Sequence, residues 1–219
     1  TDVIHVEGSV DPIRDIQTID TELILSDLEV VENRQARMAK AAKTGDKKAG
    51  AAAQWLAELA AHLGEGKNAR TFEFDETDED QMAQKKEMGL LTAKPVIYAA
   101  NLSEDDLMEG VDSNPHLEAV RKLAEAEGAQ CIPICAKTEE DIADYSPEEK
   151  AAFLAEMGVT ASGLDNLVKA SYTLLGLISF LTDGKKECRA WTIRRGTKAP
   201  QAAGKIHSDF ERGFIRASV

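Results

Sequence analysis

The sequence predicts an α/β fold, a parallel-sheet domain interrupted by an antiparallel helical hairpin. Three observations predict it. Residues 95–135 read as strand, helix, strand; residues 18–63 carry two helical apolar stripes separated by a turn; and the charge divides unevenly along the chain. The 219 residues hold 26 Lys and Arg against 39 Asp and Glu, a formal charge of −13, with 43% hydrophobic and 5% aromatic residues. At about 100–200 residues per domain this is one full domain or two small ones, with enough apolar side chains for a real core, which excludes a disordered tail. The apolar runs at Pro95–Ala100 and Leu174–Leu181 fall far short of the roughly 20 residues a bilayer requires, and no signal-like stretch opens the chain. The expectation is a cytoplasmic protein with no membrane association. Cys131, Cys135 and Cys188 form neither an even set nor a Cys-x-x-Cys pair, so reduced thiols are expected rather than disulfides or structural zinc. Residues 185–219 hold nine basic side chains against three acidic, leaving −19 on the first 184. A basic module facing a polyanion accounts for this split, as does a solvated basic surface.

Taken in order, Asp2–Val6 alternates as a strand, and Gly8–Pro12 reads as a turn. Ile16, Ile19, Leu23, Ile24, Leu28 and Val31 then mark one helix face. Thr44-Gly45-Asp46 turns the chain, and Lys47–Leu63 returns with Trp55, Leu56, Leu59 and Leu63 on one stripe. The hairpin tip is basic, with Arg34, Arg37 and Lys40 among its cations. These are candidate nucleic-acid contacts, although a solvated helix tip is the commoner arrangement. The acidic run Glu73–Asp80 lacks the glycine and oxygen-ligand spacing of a calcium loop and is read as a solvated loop with capping carboxylates before a helix over Gln81–Met88. Pro95–Ala100 is a short apolar run suited to a strand covered on both faces. Asn114-Pro115 caps a helix over His116–Glu127, Gly128 closes it, and Ala129–Cys135 is a second strand. Helices are expected from Ser146 to about Gly158 and over Leu164–Leu177.

Parallel sheets bind ligands beyond the carboxyl ends of their strands. The segments Asn101–Asp106 and Cys135–Glu139 are therefore the loops that could hold a site. They read Asn101-Leu102-Ser103-Glu104 and Ile134-Cys135-Ala136-Lys137. In G-protein-like domains an Asn-Lys-x-Asp loop reads guanine and a Ser-Ala-Lys loop backs the base. A carboxylate in the first loop accepts two hydrogen bonds from adjacent guanine donors, which depends on its reach. Glu104 is one methylene longer than Asp, and Leu102 stands where Lys would cover the ring. Guanine recognition should weaken, and adenine becomes an acceptable base.

These loops, the opening His5–Pro12, Arg189–Ile193 and above all Gly196–Phe210 together resemble the YchF subfamily of Obg-like P-loop ATPases along essentially the whole chain. The resemblance implies a nucleotide-binding α/β domain over residues 1–17 and 94–176, a coiled-coil insertion over 18–93, and part of a C-terminal β-grasp (TGS) domain over 177–219. It implies ATP, or less favourably GTP, bound with Mg²⁺ and hydrolysed by a ribosome-associated translation or stress factor, acting as a monomer. It places Asn101, Leu102, Ser103, Glu104, Cys135, Ala136 and Lys137 around the base. Asn101 would face the base edge, Leu102 would touch it through backbone and apolar surface, and Cys135 with Ala136 would line it. Lys198, Lys205, His207 and Arg212, on or beside an expected helix over Ala199–Phe210 between strands at Glu187–Ile193 and Phe214–Ser218, would contact RNA phosphates. His207 on such a helix is more often packed than liganding, and Trp191 is read as core because it alternates with Arg189 and Ile193.

A phosphate loop requires Gly-x-x-x-x-Gly-Lys-Ser/Thr. Gly158–Gly163 has the glycine spacing but continues Leu164-Asp165, and no Asp-x-x-Gly loop precedes the hairpin. The resemblance implies that both lie upstream of Thr1 and that the remaining TGS strands lie beyond Val219. This chain alone is then expected to be inactive, since phosphoryl transfer rests on positioning and charge around the phosphates. Two other readings stand beside it. One is a non-enzymatic RNA or ribosome adaptor. The other is a metal-dependent hydrolase using Glu73–Asp80 or His116, which lack ligand spacing.

Overall fold

In a computed structural model, residues 8–159, 161–184 and 187–216 are described. The chain runs through α1 (Pro12–Ala42), α2 (Lys47–Gly64), α3 (Glu79–Met88), β1 (Ile97–Asn101), α4 (Glu104–Glu109), α5 (Pro115–Glu127) and β2 (Gln130–Ile134). It continues through α6 (Ala136–Asp141), α7 (Pro147–Glu156), α8 (Gly163–Leu174), β3 (Leu177–Asp183), β4 (Cys188–Arg194), α9 (Ala199–Ile206) and α10 (Ser208–Arg212). It divides into two compact units, one of residues 1–96 with 115–129 and the other of 97–114 with 130–219.

The first unit is built on the α1–α2 hairpin. Asp11 caps α1 by accepting from the Arg14 amide at 3.1 Å, and Pro12 occupies the first turn, where its missing N–H costs nothing. The helix therefore starts at Pro12, before the expected start near Ile16. Asp46 caps α2 in the same way, accepting from Ala49 N at 3.1 Å. Ile24 and Val31 of α1 pack against Trp55, Leu56, Leu59 and Leu63 of α2, the stripe periodicity marks out. Asp78 caps α3, Asp75 accepts from the Thr77 amide and hydroxyl, and Asp80 pairs with Lys48 at 2.7 Å. The acidic run thus supplies a helix cap, a turn contact and a surface ion pair, and no group of three or more metal-ligating side chains occurs among the described residues.

The second unit holds two small sheets. β1 and β2 pair in parallel, from Ile97 against Gln130 to Asn101 against Ile134. α8 begins at Gly163, where an added Cβ would lie 2.9 Å from Ile134 Cγ1 and 3.0 Å from its Cα. Only glycine lets this helix approach the strand so closely. The expected helix over Leu164–Leu177 is shorter: α8 ends at Leu174, Gly176 takes φ +62, and the following apolar residues become β3, antiparallel to β4. The expected helix over Ala199–Phe210 is two helices, broken at His207, whose extended backbone (φ −160) starts α10 and whose Nδ1 accepts from the Asp209 amide at 3.2 Å. Residues 214–216 form no strand, and 217 and 218 of the expected strand Phe214–Ser218 lie outside the described residues, as does the expected strand Asp2–Val6.

Candidate functional site

The in-register ends of β1 and β2 bring the two predicted segments side by side. They are not open loops, because each leads directly into a short helix, α4 or α6. Leu102 N donates to Ile134 O at 2.8 Å, extending the ladder by one bond. Beyond it the Asn101 side chain crosses between the turns, and its Oδ1 accepts from Ala136 N at 3.0 Å. This contact occupies the carboxamide oxygen; its NH₂ group carries the remaining donors.

Ser103, also predicted at the base, caps α4. Its Oγ donates to Asp106 Oδ2 at 2.6 Å and accepts from Asp106 N at 3.2 Å, closing a capping box on α4. Glu104 opens α4, and Lys137 Nζ donates to its Oε2 at 2.8 Å. The carboxylate beside Lys137 raises the ammonium pKa above its ordinary value, chiefly through that hydrogen bond and then by charge. Cys135 is buried at the start of α6. The site is thus a ridge of amide, carboxylate and ammonium groups from Asn101, Glu104 and Lys137 around the Ala136 backbone. A cavity of about 320 Å³ lies in the same unit, lined by residues including Leu107, Val111, Cys135, Thr138, Leu154 and Val159, but by neither Asn101 nor Glu104. Of the predicted base contacts, Cys135 lines it.

The Glu104–Lys137 pair is the feature that residue-by-residue reading missed. It follows from the sheet register, which the folded strands alone supply: Asn101 and Ile134 are register partners, and the acid and the base each follow by three residues.

The basic candidates divide into held and free. Arg34 is drawn onto α3, donating to Glu87 Oε2 at 2.5 Å and Gln84 Oε1 at 3.2 Å, with its side chain 19% exposed. Its guanidinium is an intramolecular tie. Arg37 and Lys40 are exposed near the end of α1. Lys198 at the start of α9, Lys205 in its last turn and Arg212 in α10 are exposed as well. His207 is exposed and lies 3.5 Å from Asp209, with its ring edge-on to Phe210. Trp191 is half-buried, donates from Nε1 to Thr182 Oγ1 at 2.9 Å, and carries the Arg189 guanidinium 4.3 Å above its ring. No helix among the described residues is long and apolar enough to cross a membrane.

Comparison with known proteins bears on this arrangement. Residues 177–219 match the family model YchF-GTPase_C, described as a protein of unknown function (DUF933). The chain is 49% identical over 217 residues to the "Ribosome-binding ATPase YchF" of Bacillus subtilis (strain 168), covering 99% of this chain and 58% of that protein. It is 44% identical over 217 residues to the protein of the same name from Escherichia coli O157:H7, with the same coverage. The solved structure of the Schizosaccharomyces pombe YchF GTPase superposes with a TM-score of 0.82 at 35% identity, covering 98% of this chain and 57% of that one. The fold is therefore the α/β arrangement seen in the solved YchF GTPase. The chain belongs to the YchF family, and it spans about 58% of the length of the curated relatives it matches.

Proposed function

We propose that this chain carries the base-binding and ribosome-contacting parts of a cytoplasmic, monomeric nucleotide hydrolase that favours ATP over GTP and acts as a translation or stress factor. The observation that carries the reading is the Asn101 Oδ1 to Ala136 N hydrogen bond at 3.0 Å, which holds two purine-loop segments as one surface at the strand ends. Similarity supports the reading without fixing the base: the curated relatives are named ATPases and the solved relative a GTPase. The preference then rests on Glu104, the longer acid at the position that would read guanine.

The proposed organisation is a nucleotide-binding domain over residues 1–17 and 94–176, a helical insertion over 18–93 and a β-grasp segment over 177–219. Mg²⁺ and the triphosphate are assigned no residues here, because the sequence has no Gly-x-x-x-x-Gly-Lys-Ser/Thr string and the described residues offer no metal-ligating cluster. When bound, Mg²⁺ would supply charge neutralisation at the phosphates. What these residues do is hold and select the base. Hydrolysis by these 219 residues alone is not expected.

The test is a competition titration of ATP and GTP against the full-length gene product. ATP is expected to bind at least as tightly as GTP, and a strong GTP preference contradicts the role given to Glu104.

A second reading, an RNA or ribosome adaptor indifferent to nucleotide, is favoured by the exposed cations Arg37, Lys40, Lys198, Lys205 and Arg212. About five phosphate contacts should lower ribosome affinity by about a hundredfold between roughly 50 and 200 mM salt. Cosedimentation across a salt series reads this directly; binding that is insensitive to salt removes the phosphate-contact role.

A further inference from the structure

The second strand-end turn, Cys135 to Lys137, is held on both sides by the first turn of α8. On the strand side, Gly163 packs on Ile134 at a distance that a Cβ would close to 2.9 Å. On the helix side, the carboxylate of Glu139 in α6 reaches the same turn. Ser162 Oγ donates to its Oε2 at 2.6 Å, and Leu164 N donates to its Oε1 at 3.3 Å. Ser162 is 1% exposed and caps α8, its Oγ also accepting from Asp165 N at 3.3 Å. Both oxygens of Glu139 are thus engaged, each by a group of α8's first turn or its cap.

The first amides of a helix lack intrahelical partners, and a negative charge beside them is favoured by the helix dipole. Such a cap usually comes from the adjoining sequence, as Ser162 does here. Glu139 comes from 23 positions before Ser162, so its bonds also fix where α6 sits on α8. α6 requires an anchor of this kind, being six residues long with no side-chain cap from Cys135. A helix of that length has little stability by itself. Its first amide, Ala136 N, is instead held across the turns by Asn101 Oδ1 at 3.0 Å. The place of Ala136 is therefore set by that bond, by the burial of Thr138 and Ile142, each 2% exposed, and by the Glu139 bridge.

We infer that Glu139 is a positioning residue for nucleotide binding: by bridging α6 to the buried first turn of α8, it holds the Ala136 amide where Asn101 reaches it. Glu139 acts through the turn and is assigned no contact with nucleotide. The inference rests on the purine surface proposed above and names a support that is not among the predicted base contacts. It concerns how firmly a purine is held and leaves the choice between adenine and guanine untouched.

The test uses the full-length gene product with Mg²⁺ and two probes titrated by calorimetry, a non-hydrolysable ATP analogue and inorganic tripolyphosphate. Tripolyphosphate has no base, so a displaced base-side turn leaves its affinity unmoved, whereas general damage lowers both. Glu139→Ala is expected to weaken the ATP analogue by about tenfold, the scale of a lost charge-assisted bond, and tripolyphosphate by less than about twofold. Glu139→Gln keeps an acceptor oxygen and should return ATP-analogue affinity to within about threefold of wild type. Adding Ser162→Ala to Glu139→Ala should cost little more, because both remove the same bridge. Should Glu139→Ala not fold, Ser162→Ala alone carries the comparison, with an expected loss of about threefold for the ATP analogue only. Unchanged ATP-analogue affinity in the Glu139 and Ser162 variants, with Asn101→Ala still lowering it, overturns the inference and leaves the purine surface standing. Equal losses for the two probes overturn it too, since Glu139 then supports the fold at large. If Asn101→Ala also changes nothing, the purine surface is wrong and the inference falls with it.

Discussion

Replacing Asp27 by Ala is expected to destabilise the helical unit by about 3 to 5 kcal/mol, read as a shift of its urea unfolding transition. Asp27 lies on α1 and is 2% exposed. Its Oδ1 accepts from Leu91 N at 2.7 Å, and its Oδ2 accepts from Thr92 N and Thr92 Oγ1, each at 2.7 Å. The network continues outward, since Thr92 Oγ1 accepts from Ala69 N at 2.9 Å and Thr92 O accepts from Arg70 N at 3.0 Å. Alanine would remove all three bonds at the carboxyl group and leave the buried Thr92 amide without an acceptor, which is why the loss exceeds that of an exposed pair. Asp27→Asn keeps one acceptor oxygen and should cost less, about 1 to 2 kcal/mol. A shift below about 1 kcal/mol for the alanine variant would show that the network does not hold the unit together.

The Asp27 network is the kind of feature a linear reading passes over. Asp27 looks like one more polar residue on a helix, and its partners lie 64 and 65 positions further on. The hairpin was legible because burial of one face imposes a helical period, and Leu56, Leu59 and Leu63 are accordingly 0–1% exposed. The parallel strands were legible as short apolar runs, but the expected cover on both faces is not met: no residue of β1 or β2 is buried, and Ala99, Asn101 and Gln130 are exposed. The apolar-run criterion fails at Leu174–Leu181, where one apolar run spans a helix end and a strand start, and only Gly176 at φ +62 divides them. The start of α1 was missed for a different reason. Asp11-Pro12 carries the same cap-and-proline signal read correctly at Asn114-Pro115, but the preceding Gly8 made it resemble a turn. In the candidate site, Asn101 and Ala136 could be placed near each other from strand ends alone, whereas pairing Glu104 with Lys137 required the register.

Asn101→Ala is expected to weaken binding of both ATP and GTP by about tenfold or more, with little change in unfolding. The side chain does two things that alanine cannot. Its oxygen holds the Ala136 amide at 3.0 Å, tying the second turn to the first, and its NH₂ group supplies donors to a purine edge. Asn101→Asp separates these roles, because it keeps an acceptor for Ala136 and loses the donors. If the tether alone matters, aspartate restores binding; if the donors read the base, it does not.

The claim on which the account depends is that the strand-end turns at Asn101 and Ala136 form one purine surface. The most direct measurement is an ATP titration of the full-length gene product, wild type against Asn101→Ala, at matched thermal unfolding. A loss of about tenfold or more in affinity is the predicted result. Equal affinity in the two proteins contradicts it.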